Sequence, residues 1–94
     1  MEMLDIPEAF QTKLRLLIVS ALVNGAKSFG DLQAITSSTA GNLSVQLSKL
    51  EEWGYVTITK GFVGKRPHTS VALTEMGLKS FKEYVQLLNR LIQK

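Results

Sequence analysis

Residues 39–56, "TAGNLSVQLSKLEEWGYV", decide how this chain folds. Thr39 opens the stretch, leucines recur at 43, 47 and 50, and Gly54 closes it just before an alternating pattern begins at Tyr55. Spacings of four and three place the three leucines on one stripe of a helix over 40–53, capped by Thr39 and ended by Gly54. At about 100° per residue, Gly41, Val45 and Ser48 fall opposite that stripe, with Asn42, Ser44 and Lys49 along its edges. The outward face is therefore small and polar, with one short apolar group. A glycine near a helix start costs about 1 kcal/mol against alanine. Capping does not explain that cost. Close approach of the backbone to another molecule does.

The flanks supply the rest of the architecture. "YVTIT" (55–59) places Tyr55, Thr57 and Thr59 on one face and Val56 and Ile58 on the other, as a half-buried strand requires. "SVALT" (70–74) is a second short strand, and "KGFVGKRPHT" (60–69) between them reads as a hairpin with an extended tip. Thr74 caps a last helix over 75–93. On the N-terminal side, "FGDLQAIT" (29–36) is a short helix with Ser28 as N-cap and Asp31 in its first turn. Residues 7–24 form the first helix, with Pro7 at its first position and Asn24-Gly25 ending it. So much of its circumference is apolar that it is central, or covered by another chain. The order is helix, short helix, turn, helix, hairpin, long helix. It predicts a mainly α fold with a small β-hairpin, a winged helix-turn-helix. One domain spans 1–94, with a recognition helix at about 40–53, a wing at about 55–73 and a C-terminal dimerisation helix at about 75–93.

Composition excludes several function classes. The chain has 94 residues, 45% of them hydrophobic and 20% charged, which suits one modest core. There is no cysteine and a single histidine, which rules out disulfides, thiolate catalysis and thiolate metal sites. No metal or other cofactor is expected. "TSSTAGNLS" (36–44) is rich in hydroxyls, but no histidine or acid stands where it could activate a nucleophile, so the chain is not read as an enzyme. "LRLLIVSALV" (14–23) is too short to span a bilayer and lacks a signal-peptide layout. A cytoplasmic protein with no membrane partner is expected.

The net charge of +3 is unevenly spread. Glu2, Asp5 and Glu8 make the N-terminus acidic, whereas 60–68 contain no acid and carry Lys60, Lys65, Arg66 and His68. That pattern suits double-stranded DNA. Asn42 can pair with adenine or contact a phosphate, Ser44 and Ser48 can bond phosphates or base edges, and Val45 can touch a thymine methyl. Free N–H groups around Thr39–Asn42 favour an anion. Lys65, Arg66 and His68 can follow the sugar-phosphate backbone or the minor groove. The alternative is a winged-helix protein–protein adaptor whose basic hairpin is only a solvated tip. Salt dependence separates the two.

In the last helix Leu78, Phe81, Val85, Leu88 and Ile92 recur at three-and-four spacing, the seam of a coiled coil. Tyr84, Leu87 and Leu91 form a second row beside it. A homodimer through this helix is expected; the alternative is packing on its own core alone. No effector motif is visible, and a small-molecule effector would sit between helices at the dimer interface.

"TAGNLSVQLSKLEEWGYV" followed by "GFVGKRPHTSVALTEMG" resembles the winged-helix transcriptional regulators of the ArsR/MarR type. Within them it is similar to a small group with a "T-x-G-N-L-S-x-H-L-x-K-L-E-x-x-G-Y-V" helix and an "F-x-G-[KR]-x-P-x-T-x-x-x-L-T-x-x-G" wing. The resemblance covers nearly the whole chain, with "KLRLLIVSALV" fitting the first helix and Arg15 its basic position. It implies that Thr39, Gly41, Asn42, Ser44, Val45, Ser48 and Lys49 belong to the recognition helix, and Lys60, Lys65, Arg66 and His68 to the wing. Gln46 stands where that pattern has histidine, which implies different local packing rather than a different function. The cysteine or histidine clusters of metal-sensing relatives are absent.

Overall fold

A computed structural model describes residues 6–93, so Glu2 and Asp5 of the acidic N-terminal stretch lie outside the described residues. A single 3-10 turn at Glu8–Phe10 precedes α1 (Lys13–Leu22), β1 (Lys27–Ser28), α2 (Phe29–Thr36), α3 (Ala40–Glu52), β2 (Val56–Val63), β3 (Arg66–Leu73) and α4 (Glu75–Ile92). The strands form one antiparallel sheet in the order β1-β3-β2. This is the winged helix-turn-helix that the order of elements predicts.

The helix boundaries follow from their caps. Ser28 Oγ accepts the Asp31 N–H at 3.0 Å, and Thr39 Oγ1 accepts the Asn42 N–H at 3.1 Å. Between α2 and α3, Ser37 adopts the left-handed conformation (φ 54°), which makes the turn tight. At the far end of α3, Gly54 has φ +85° and its N–H bonds the Glu51 carbonyl, while the Tyr55 N–H reaches back to the Leu50 carbonyl at 2.9 Å. Those two bonds define a Schellman stop. It hands the chain directly to β2.

The core lies between the helices and one face of the sheet. Ile18 and Val19 of α1, Leu32 of α2, Leu43 and Leu50 of α3, and Val71 of β3 are fully enclosed. Each such side chain contributes about 1.5–3 kcal/mol of burial. α4 is tied to this body at one junction. Thr74 Oγ1 accepts the Gly77 N–H at 2.9 Å and donates to the Gly54 carbonyl at 2.6 Å, and the Thr74 N–H bonds the Tyr55 carbonyl at 3.0 Å. Gly77 rests directly on the Tyr55 backbone.

Three expectations are corrected. The first helix does not run over 7–24. Pro7 precedes the 3-10 turn, and α1 begins only after Thr12, which is extended (φ −124°, ψ 150°) and caps the Arg15 N–H. The break lets Ala9 and Phe10 turn inward, where the Phe10 ring meets Tyr55, Phe81 and Tyr84 at 5.6, 5.9 and 5.0 Å. Burying that ring outweighs continuing a helical turn. The hairpin is also longer than strands at 55–59 and 70–74. Its ladder runs out to Val63↔Arg66, leaving only Gly64-Lys65 as the turn, with Gly64 (φ +62°) in the first central place as a type II′ turn requires. Pro67 fits because it stands opposite Phe62, one pair beyond the turn-closing pair, where a backbone N–H points away from the partner strand. Finally, β1 pairs Lys27 with Val71 and Ser28 with Ser70, adding a third strand too short to register as a pattern.

Candidate nucleic-acid interface

α3 lies on the leucine stripe as its periodicity demands, with Leu43, Leu47 and Leu50 at most 2% exposed. That orientation leaves Gly41, Asn42, Ser44, Val45, Ser48 and Lys49 exposed on the other side, together with the cap residue Thr39. Nothing inside the domain calls for glycine at position 41. A Cβ there would meet no atom of the described residues within 4 Å, and its backbone is not left-handed. The helix-propensity cost of Gly41 therefore has no intramolecular return.

The wing stands beside this face. Strand alternation carries Lys60 and Phe62 on the same face as the buried Val56, and their partners Thr69 and Pro67 share it. Arg66 and His68 lie on the opposite face with Val63 and Gly61, and Lys65 sits in the turn. The four wing cations are all exposed, yet they are divided between two faces and the tip. An open groove of about 560 Å³ separates the hairpin from α3, with Ser44, Ser48 and Glu51 on one wall and Lys60 and Thr69 on the other. Lys60 thus belongs to the groove, while Arg66 and His68 belong to the outer edge.

Two features escaped the sequence reading. Phe62 (74% exposed) and Val63 (63%) give the basic tip an apolar end. An aromatic residue next to Gly61, away from any apolar alternation, was the available signal. The second is the burial of Arg15, read from the sequence only as the basic position of the first helix; it is 6% exposed and lies beneath α3. Its Nη1 donates to Gln46 Oε1 at 2.8 Å, its Nη2 donates to the Glu8 carbonyl at 2.9 Å, and its guanidinium lies 5.3 Å from the centre of the Trp53 ring. Its Nε is buried without a partner among the described residues. Gln46 in turn donates to Asn42 Oδ1 at 3.3 Å. An arginine inside the apolar run 14–23 was the signal here.

The α4 residues divide mainly along the helix, with Leu87 of the second row still half-buried beyond the exposed Val85. Phe81 and Tyr84 pack on Phe10, and Leu78 is half-buried. Val85, Leu88, Leu91 and Ile92 are exposed, Ile92 at 78%. The body of the domain is too short to cover the end of the helix beyond Leu87. The molecule measures 54 × 25 × 21 Å, so it is long for its mass. No helix among the described residues is long and apolar enough to cross a membrane.

Comparison with known proteins agrees with this geometry. Residues 14–92 match the family model described as a winged helix DNA-binding domain. An uncharacterised protein of Methanocaldococcus jannaschii is 35% identical over 78 residues, which cover 81% of this chain and 84% of that protein. The solved structure of a transcriptional regulator homologue from Pyrococcus horikoshii superposes with a TM-score of 0.87 at 28% identity, covering 99% of this chain and 96% of that one. A candidate MarR-family regulator from Enterococcus faecalis shares the fold, with a TM-score of 0.84 at 19% identity over 98% of this chain and 84% of its own.

Proposed function

The chain belongs to the winged helix DNA-binding domain family, and on that premise we propose that it is a dimeric transcriptional regulator, not an enzyme, that recognises a specific double-stranded DNA sequence. The first turns of α3 enter the major groove. The observation that carries this is Gly41: an exposed helical glycine with open space around it, which lets the backbone come close to the DNA. Asn42, Ser44, Val45 and Ser48 then face base edges, and Thr39 and Lys49 face phosphates.

The wing supplies affinity with little sequence preference. Lys65 and Arg66 meet phosphates, and Phe62 provides an apolar contact at the minor groove. A second copy of the chain covers Val85, Leu88, Leu91 and Ile92, which would otherwise leave an apolar helix end in water. Two-fold symmetry then spaces the two α3 helices by about one DNA turn, roughly 34 Å. Such a regulator acts in the cytoplasm.

Selection of bound sequences from random duplex DNA tests the proposal. A palindromic site is expected, with half-site centres about 10 base pairs apart and an affinity that falls steeply with salt. Failure to enrich any sequence, with binding indifferent to salt, would exclude it.

A further inference from the structure

An asparagine amide can face a base with either end. We infer that Arg15 decides which: through Gln46 it holds the Asn42 amide with its NH₂ group outward, so that Asn42 reads hydrogen-bond acceptors on the DNA. The inference rests on the reading of α3 as the base-contacting helix.

Donor chemistry sets the polarity. A guanidinium has donors and no acceptor. The Gln46 atom 2.8 Å from Arg15 Nη1 must therefore be the oxygen, Oε1. That turns Gln46 Nε2 toward Asn42, one helical turn earlier, and Nε2 can only donate. Its partner at 3.3 Å is then Oδ1 of Asn42. Nδ2 of Asn42 is left over, and it makes no hydrogen bond among the described residues. The chain Arg15–Gln46–Asn42 has one direction, and it starts at a group that cannot reverse it.

Arg15 is fixed well enough to serve as that reference. It is buried, bonded to the Glu8 carbonyl and stacked near Trp53. Its charge is met by two neutral oxygens and a ring, and its buried Nε has no partner among the described residues. Polar burial of this kind is costly, and an apolar side chain would fill the space without it. An apolar side chain could not orient Gln46.

The consequence is a base preference. Acceptors in the major groove are O6 and N7 of guanine, N7 of adenine and O4 of thymine. An outward NH₂ suits guanine best, because both of its exposed atoms accept. It disfavours the bidentate adenine pairing, which needs Oδ1 directed outward as well. Asn42 is the specificity-determining residue, and Arg15 and Gln46 are positioning residues.

Two variants reverse the polarity by different routes. Gln46→Glu keeps the side-chain shape and still satisfies Arg15, but a carboxylate only accepts, so Asn42 must turn its NH₂ inward and present Oδ1. Asn42→Asp presents an acceptor directly while Gln46 stays as it is. Sequences selected from random duplex DNA by the wild-type protein should carry an acceptor base, guanine first, at one position in each half-site. Both variants should shift that position at least about fivefold toward cytosine or adenine, whose amino groups donate. The other positions should keep their preferences. The added negative charge weakens binding to all sequences alike and cannot imitate a shift at one position. If Gln46→Glu retains the wild-type base there, or alters every position equally, the relay is wrong and α3 remains the reading helix. A wild-type protein that enriches no sequence overturns the helix assignment itself, and the relay with it.

Discussion

Replacing Gly77 by alanine sets two effects of opposite sign against each other. Gly77 stands in the first turn of α4, where helix propensity alone predicts a gain of about 0.5–1 kcal/mol for alanine. The packing predicts a loss. A Cβ at this position would lie 3.1 Å from the carbonyl carbon of Tyr55 and 3.2 Å from its Cα, and closer still to the carbonyl oxygen. These are backbone atoms, so no rotamer change relieves the overlap. Either the overlap strains the core, at about 1–3 kcal/mol, or α4 tilts away from the Tyr55 backbone. Tilting breaks the Thr74 cap and its bond to the Gly54 carbonyl, about 1 kcal/mol for the cap and a similar amount for the bond. With the propensity gain subtracted, the net expectation is about 0.5–2 kcal/mol of destabilisation. For a domain of this size each kcal/mol lowers Tm by about 4–8 °C. Thermal unfolding followed by circular dichroism would measure it, at matched protein concentration because the proposed dimerisation would link stability to concentration. A Gly77→Ala protein that melts at or above the wild-type temperature would refute the close contact between α4 and the Tyr55 backbone.

Three further outcomes are expected. Charge-neutral replacement of Lys65 and Arg66 together should weaken binding to every duplex alike and flatten the slope of log K against log salt by about 0.9 for each phosphate no longer neutralised; an unchanged slope would take the wing tip off the DNA. Leu88→Glu should leave the domain folded, since Leu88 is 39% exposed, yet yield monomers that bind a half-site weakly. Sedimentation equilibrium showing wild-type monomers at tens of micromolar would remove the dimer. Arg15→Lys should destabilise the domain by about 1–3 kcal/mol, because an ammonium cannot bridge Gln46 and the Glu8 carbonyl in the same forked geometry; urea unfolding would show it.

The fold was legible wherever one local signal had no competitor. Thr39, Leu43, Leu47, Leu50 and Gly54 are a cap, a stripe and a stop, and α3 is found at 40–52 against the expected 40–53. α2 and the start of α4 are read equally well from Ser28 and Thr74, because side-chain capping is a local bond. The misreadings lie where long-range contacts decide. Residues 7–12 carry a helical signature, but Phe10 is drawn into a cluster of rings from Tyr55, Phe81 and Tyr84, and nothing within that segment announces them. The outer half of the hairpin has no apolar alternation, so only the cross-strand ladder reveals Val63 opposite Arg66. Composition drew Lys60, Lys65, Arg66 and His68 together as one basic segment, whereas strand geometry sends them to different faces. Arg15 and Gln46 are 31 residues apart, so their pairing is visible only in the folded chain.

Whether the first turns of α3 approach DNA closely is decided by Gly41→Leu. In the free protein the new side chain meets open space, so the fold should be unchanged or stabilised by up to about 1 kcal/mol. On DNA the same side chain stands between the helix and the floor of the major groove. Fluorescence anisotropy with the selected duplex and an unrelated one would compare the two proteins at a single salt concentration. The expected result is a folded variant whose affinity for the selected site falls to that for the unrelated duplex. A folded variant that binds the selected site as tightly as the wild-type protein would contradict it.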